Sequence, residues 1–147
     1  MNHSELCELA VKWLRTRKQN NCIRYARTCN VVASEVKFSG MEIPDAIGFH
    51  GGDSILIECK VTASDFRRDS RKLNRKHFSM GDFRIYLTPT GLIDPDNVRD
   101  SWGLLETDGK KITLVKEPLF LGGDKSAEQR LLLSMIRSPN RKGIWLK

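Results

Sequence analysis

Long apolar runs are absent from this chain. Stretches such as Ile55–Leu56–Ile57 fall far short of the ~18 residues a helix needs to cross a bilayer, which excludes a membrane-spanning helix. The N-terminal segment carries Glu5 and Glu8 inside its apolar pattern and has no small-residue cleavage site. It does not read as a secretory signal, and a cytoplasmic protein is expected. Histidine is scarce: His3, His50 and His77 are the three in the chain, and none has a triad context. No Ser or Cys occupies a nucleophile elbow. Gly51-Gly52 lacks the pattern of a phosphate-binding loop. The four cysteines, Cys7, Cys22, Cys29 and Cys59, form no Cys-x-x-Cys pair and have no His at zinc-finger spacing. They read as reduced thiols used as small buried hydrophobes. Internal repeats and low-complexity segments are missing too.

What is present is a basic chain of ordinary globular composition. Its 147 residues include 25 Lys+Arg against 18 Asp+Glu, a formal net charge of +7. This length suits one domain over residues 1–147 that folds without a disulfide or metal staple. A core over about 4–117 and a C-terminal helix and tail over 124–147 are expected. The positive balance fits a polyanionic partner, most simply nucleic acid.

Leu6, Leu9, Ala10, Trp13 and Leu14 recur at three-four spacing, which predicts an amphipathic helix over 4–18 with Ser4 as its cap. Asn20-Asn21 breaks the pattern. Residues 31–38 alternate and are β-branched. Ile43–Phe49 and Ser54–Val61 follow, with Gly51-Gly52-Asp53 as the turn between them. Three strands so closely connected predict an antiparallel meander. Ser64 offers a cap for a helix over Asp65–Phe78. The strand Arg84–Thr88 after it implies a crossover to a parallel neighbour. Trp102–Glu106 and Lys111–Lys116 read as a hairpin around Asp108-Gly109, and Ser126–Arg137 as a closing helix. Trp13 and Trp102 read as core and Trp145 as a tail anchor, not as platforms for bases. The class is α/β (or α+β): a mixed central sheet flanked by helices, with a C-terminal β-hairpin and helix.

The informative stretch is 35–60. Side chains alternate along a strand, so Glu58 and Lys60 share a face and Cys59 takes the other. If the second and third strands pair, Asp45 lies across from Glu58. Two carboxylates beside one ammonium suit a hard divalent cation, which takes oxygen ligands and few protein groups. The Cys59 backbone carbonyl supplies a further oxygen. Mg²⁺, with Mn²⁺ as substitute, is the expected cofactor. Lys60 then acts on the attacking water or on transition-state charge. The plainer alternative is an exposed Glu58–Lys60 ion pair of small energy.

At these residues the chain resembles the PD-(D/E)XK nuclease superfamily. The motif stands as Pro44-Asp45, twelve intervening residues, then Glu58-Cys59-Lys60. ASEVKF at 33–38 ahead of MEIPD places Glu35 like the acid many members carry before the Asp. SDFRRDSRK at 64–72, RIYLTPTGLI and WGLLE resemble small bacterial and phage-borne members related to MmcB-family DNA repair proteins. The resemblance implies a restriction-endonuclease-like α-β-β-β-α-β core. It also implies metal on Asp45 and Glu58, catalysis by Lys60, and Glu35 as a further acidic catalytic or metal group. A helix-borne Glu often completes such sites, and Glu5 fits that role better than Glu8 on a helical wheel. Residues 64–78 contain neither Gln nor Tyr, unlike exonuclease branches with a Gln-x-x-x-Tyr motif. An endonuclease acting on DNA in repair, recombination or phage-associated processing is therefore favoured, with RNA left open.

In the helix after Lys60, Arg67, Arg71 and Arg75 form one row, and Arg68, Lys72 and Lys76 a neighbouring one. Asp65 and Asp69 alone oppose them, and Phe66 and Leu73 mark the buried side. Six like charges on one face predict phosphate contacts that orient nucleic acid without reading sequence. Two rival readings stand beside the nuclease: a catalytically silent nucleic-acid-binding module of the same fold, and a subunit that needs a partner enzyme. A homodimer is open, since cutting two strands uses two sites.

Overall fold

The computed structural model describes residues 1–16, 28–37, 43–73, 80–140 and 142–146. Helix α1 runs His3–Arg15 and buries Leu6, Cys7, Ala10, Val11, Trp13 and Leu14. Its cap is Asn2, not Ser4. Asn2 Oδ1 accepts from the Glu5 N–H at 2.9 Å, and Glu5 Oε2 accepts from the Asn2 N–H at 2.8 Å. This reciprocal pair needs an acid three residues past the cap, and three past Ser4 stands Cys7. The predicted helix end at 17–18 and the Asn20-Asn21 break lie outside the described residues.

Strands β1 (Val31–Ala33), β2 (Ala46–His50) and β3 (Asp53–Cys59) form the expected antiparallel meander. Helix α2 (Ala63–Leu73) crosses to β4 (Phe83–Pro89), which pairs parallel with β3. A loop with a 3₁₀ turn at Pro95–Asn97 leads to β5 (Gly103–Thr107), parallel to β4. The hairpin partner β6 (Ile112–Lys116) follows, then α3 (Lys125–Arg137) and β7 (Ile144–Leu146). The sheet order is β6-β5-β4-β3-β2-β1-β7, so among the described residues the fold is a mixed α/β sheet of seven strands flanked by three helices. None of the described helices is long and apolar enough to cross a membrane.

Several boundaries depart from the sequence pattern. The first strand stops at Ala33 instead of running to 38, because Glu35 turns to φ +53°. That left-handed backbone takes the chain out of the pleat. The second strand starts at Ala46, since the segment before it bonds to the Ser34–Glu35 turn: Glu35 N–H donates to Pro44 O at 3.1 Å and Ser34 Oγ to Asp45 O at 2.7 Å. Helix α2 opens one turn before Phe66, and Thr62, not Ser64, caps it through a 3.1 Å bond from the Asp65 N–H. The predicted stretch to Phe78 lies outside the described residues beyond Leu73. Strand β7 was not expected. Three residues are too few to show alternation, and its pairing with β1 is a tertiary event.

The sheet has two core layers. Ile55, Ile57 and Cys59 of β3 face α1, whereas Leu56 faces the layer built on Phe66, Tyr86, Trp102 and Leu131. Burying these apolar side chains is the main favourable term, at roughly 25 cal/mol per Å². Trp13 and Trp102 are core residues as expected. On the α1 side the β2 backbone passes close to Cys29. A Cβ on Gly48 would sit 2.6 Å from Cys29 Sγ. Burial pushes the Cys29 thiol up to about 12, so it serves as a small hydrophobe.

At the end of the sheet away from Lys60, a polar knot fastens α3. Asp82 Oδ2 accepts from the Ser54 N–H at 2.9 Å and from Lys125 Nζ at 2.6 Å, and Asp82 Oδ1 accepts from the Gly123 N–H at 2.8 Å. Glu128 Oε2 accepts from Ser54 Oγ and the Gly81 N–H, both at 2.9 Å. Every carboxylate oxygen there has a donor, which is what makes burying these acids tolerable.

Candidate functional site

The site is built where β2 begins and β3 ends. The β2–β3 ladder closes on the pair Ala46↔Ile57. One step further, Asp45 stands opposite Glu58, as the alternation predicts. With no strand left to receive it, the Cys59 N–H donates instead to Asp45 Oδ2, at 2.7 Å. A strand residue's carbonyl leaves on the same edge as its N–H, so the Cys59 carbonyl also faces the Asp45 side. The other Asp45 oxygen, Oδ1, lies 3.2 Å from His3 Nε2.

Glu58 and Lys60 share a face: Lys60 Nζ is 3.8 Å from Glu58 Oε2. A third acid completes the group. Asp69 of α2 places Oδ1 3.3 Å from Lys60 Nζ, and its Oδ2 accepts from the Tyr86 hydroxyl at 3.2 Å. Tyr86 is fixed by a T-shaped contact with Phe66, centroids 5.0 Å apart, and by stacking on Trp102 at 4.5 Å. The aromatic column under α2 thus aims Asp69 at Lys60. Asp45, Glu58, Lys60 and Asp69 line one cleft of about 280 Å³ together with His3, Asp65 and Arg68.

Burial decides against a solvated surface pair. The side chains of Lys60, Glu58, Asp69 and Asp45 are 13%, 17%, 15% and 16% exposed. Desolvation pulls the Lys60 pKa down, but the carboxylates of Glu58, Asp69 and Asp45 outweigh it and hold the ammonium above its ordinary value. Asp65 is matched by Arg68 at 3.2 Å. Asp45, Glu58 and Asp69 are the carboxylates whose charge acts on Lys60. The donors are hard oxygens, the kind Mg²⁺ and Mn²⁺ take. Asp45 and Glu58 are the residues that could hold such an ion.

Not every predicted residue joins this cleft. Glu5 spends its carboxylate on the α1 cap. Glu35 is not strand-borne. It sits beyond the end of β1, half-exposed, with Oε1 3.8 Å from His3 Nδ1, on the α1 side of Asp45. On α2, Arg67 and Arg68 are exposed, and Arg71 and Lys72 fall on the same helix. Arg75, Lys76 and His77 lie outside the described residues, as does Cys22. Two members of the site were missed. By pattern alone Asp69 is a charge opposing the basic rows, although it stands three residues after the buried Phe66 and so flanks the inward face. His3 has no partner visible in the sequence, because its carboxylate neighbours come from the distant 35–45 segment.

No family model matches the chain, and no curated protein sequence does either. Among solved structures, the chain is similar to a protein of unknown function from Silicibacter pomeroyi. The two share 20% identity over 75% of this chain and 82% of that one, with a TM-score of 0.53. That likeness concerns the fold.

Proposed function

We propose that this protein is a divalent-cation-dependent nuclease that hydrolyses phosphodiester bonds in DNA. The observation that carries the reading is the gathering of Asp45, Glu58 and Asp69 with the Lys60 ammonium in one cleft. The PD-(D/E)XK-like spacing of Pro44-Asp45 and Glu58-Cys59-Lys60 supports it from the sequence side. Asp45 and Glu58 would hold the cation, with the Cys59 carbonyl as a further oxygen. When bound, the ion neutralises phosphate charge and acidifies water. Lys60 presents N–H donors to the phosphate oxygen on which charge develops during in-line attack. Asp69 fixes the direction of Lys60 and the Tyr86 hydroxyl fixes Asp69. Arg67 and Arg68 lead the basic face of α2 away from the cleft rim, where phosphates of the substrate backbone would lie. DNA repair, recombination or phage-associated processing is the setting this reading proposes.

The test is cleavage of labelled DNA and RNA in single-stranded, duplex, nicked, flapped and branched forms, with Mg²⁺, Mn²⁺ or EDTA. Cutting of DNA with either ion and none in EDTA is expected. Nucleic-acid binding without cleavage in any condition would replace the enzyme with a binding module. Cleavage appearing only with a host extract would point to a partner-dependent subunit.

A further inference from the structure

A second constellation lies on the α1 side of Asp45. His3 Nε2 is 3.2 Å from Asp45 Oδ1, and His3 Nδ1 is 3.8 Å from Glu35 Oε1 and 3.6 Å from Cys7 Sγ. One donor atom from each of His3, Cys7, Glu35 and Asp45 lies within 4.8 Å of the other three. A tetrahedral shell with bonds of about 2.0–2.3 Å has edges of about 3.3–3.6 Å. The observed spacings require a contraction of up to about 1.5 Å. We propose that His3, Cys7, Glu35 and Asp45 bind a transition-metal ion of the Zn²⁺ class.

The donor types separate this site from the Lys60 cleft. Imidazole and thiolate favour Zn²⁺ or Co²⁺ over Mg²⁺, which takes oxygen ligands. The Cys7 thiol packs in the core against the Cys59 thiol and reaches the His3 imidazole from that side. Cys7 is 4% exposed, and its sulfur points at the same imidazole. The framework is already in place. The Asn2–Glu5 cap fixes the first turn of α1, which carries His3 and leads to Cys7 four residues on. Ser34 Oγ and the Glu35 N–H tie the Glu35 segment to the Asp45 segment. The Cys59 N–H holds Asp45 Oδ2 and leaves Oδ1 toward His3. Cys7 and Glu35 line a cleft of about 810 Å³, and His3 and Asp45 line the one of about 280 Å³. On binding, the Cys7 S–H bond breaks, a sulfur–metal bond forms and the proton leaves to solvent. The ion would pin α1 to the sheet end beside Asp45.

The inference shares Asp45, and Glu35 as the resemblance assigns it, with the nuclease reading, but His3 and Cys7 belong to it alone, and the two are tested separately through those residues and Glu58. Chelator-stripped protein, kept reduced with a phosphine, is titrated with Co²⁺. One equivalent should give the strong visible bands of four-coordinate Co²⁺ and a near-ultraviolet thiolate-to-metal charge-transfer band. Zn²⁺ should bleach both, and excess Mg²⁺ should not. Cys7→Ser should remove the charge-transfer band, and His3→Ala should weaken Co²⁺ binding at least tenfold. Glu58→Gln, which the nuclease reading needs, should keep the band. No charge-transfer band in the wild type, or one that survives Cys7→Ser, overturns the site. Should circular dichroism show that Cys7→Ser does not fold, His3→Ala decides, and unchanged Co²⁺ affinity there overturns it. Mg²⁺-dependent cleavage without the band ends this inference alone, and the band without cleavage ends the nuclease reading alone.

Discussion

The Lys60 ammonium stands 3.3 Å from the Asp69 carboxylate, and this one contact joins the end of β3 to the helix that follows it. It orients the lysine of the motif by a residue outside the motif. Asp69→Asn should keep the fold and the Tyr86 contact but loosen Lys60. Supporting partners of this kind are worth about 10–100-fold. Turnover should therefore fall about 10–100-fold with KM little changed, and Tyr86→Phe should do the same more weakly. Steady-state cleavage of a labelled duplex measures both. An equal change in KM alone would assign Asp69 to substrate binding.

Lys60→Ala should abolish cleavage while DNA binding persists, because an interaction made in the transition state costs turnover and not affinity. Asp45→Ala should also abolish cleavage. In EDTA it should bind DNA as tightly as the wild type or more so, having lost a negative charge near phosphates. Plasmid nicking and gel shift, run side by side on the three proteins, give the comparison. Full cleavage by either variant would remove the proposed chemistry.

Arg67 and Arg68 are exposed on α2, and the Arg68–Asp65 pair at the surface is worth little to stability. Replacing each by Ala should weaken DNA binding uniformly across sequences. Each lost phosphate contact should flatten the dependence of log K on log salt by about 0.9 on a duplex. A slope identical to the wild type would mean that this face does not meet phosphates.

Asp82 tests the fold away from the site. Burial raises its pKa, but the Lys125 ammonium and the N–H groups of Gly123 and Ser54 outweigh that and hold it below the ordinary 3.8. A depressed carboxylate stabilises the folded state fully above its unfolded pKa and loses that contribution as pH falls through the folded one. Stability should therefore drop below about pH 4, and Asp82→Asn should flatten that drop. Asp82→Ala leaves the N–H groups of Ser54 and Gly123 without their acceptor, while Lys125 keeps Glu128 and the Gly52 carbonyl, and should cost about 1–3 kcal/mol at neutral pH. Urea unfolding across pH reads both effects.

Gly48→Ala should destabilise by about 1–3 kcal/mol, since the added methyl must displace Cys29 from its place against β2. Thermal unfolding measures it. Cys29→Ala combined with Gly48→Ala should recover part of the loss, because the smaller side chain makes the room.

The sequence by itself determined the local features of this protein. Hydrophobic period marked α1, the meander, the β5–β6 hairpin and α3, because each has enough residues to show its repeat. Strand alternation placed Glu58 with Lys60 and set Asp45 across from Glu58, because a register follows from the turn that joins two strands. Caps and ends were less legible. Asn2 displaced Ser4 because a cap depends on the residue three further on, and Glu35 ended β1 through a bond to Pro44 that no period announces. Only the tertiary structure decided the rest. It brought β7 onto β1, turned Asp69 from a surface charge into the partner of Lys60, and set His3 between Glu35 and Asp45. Each of these joins residues that alternation and helical spacing do not relate. Their proximity comes from packing α1 and α2 on opposite faces of the sheet, and local periodicity carries no record of which face a helix will cover.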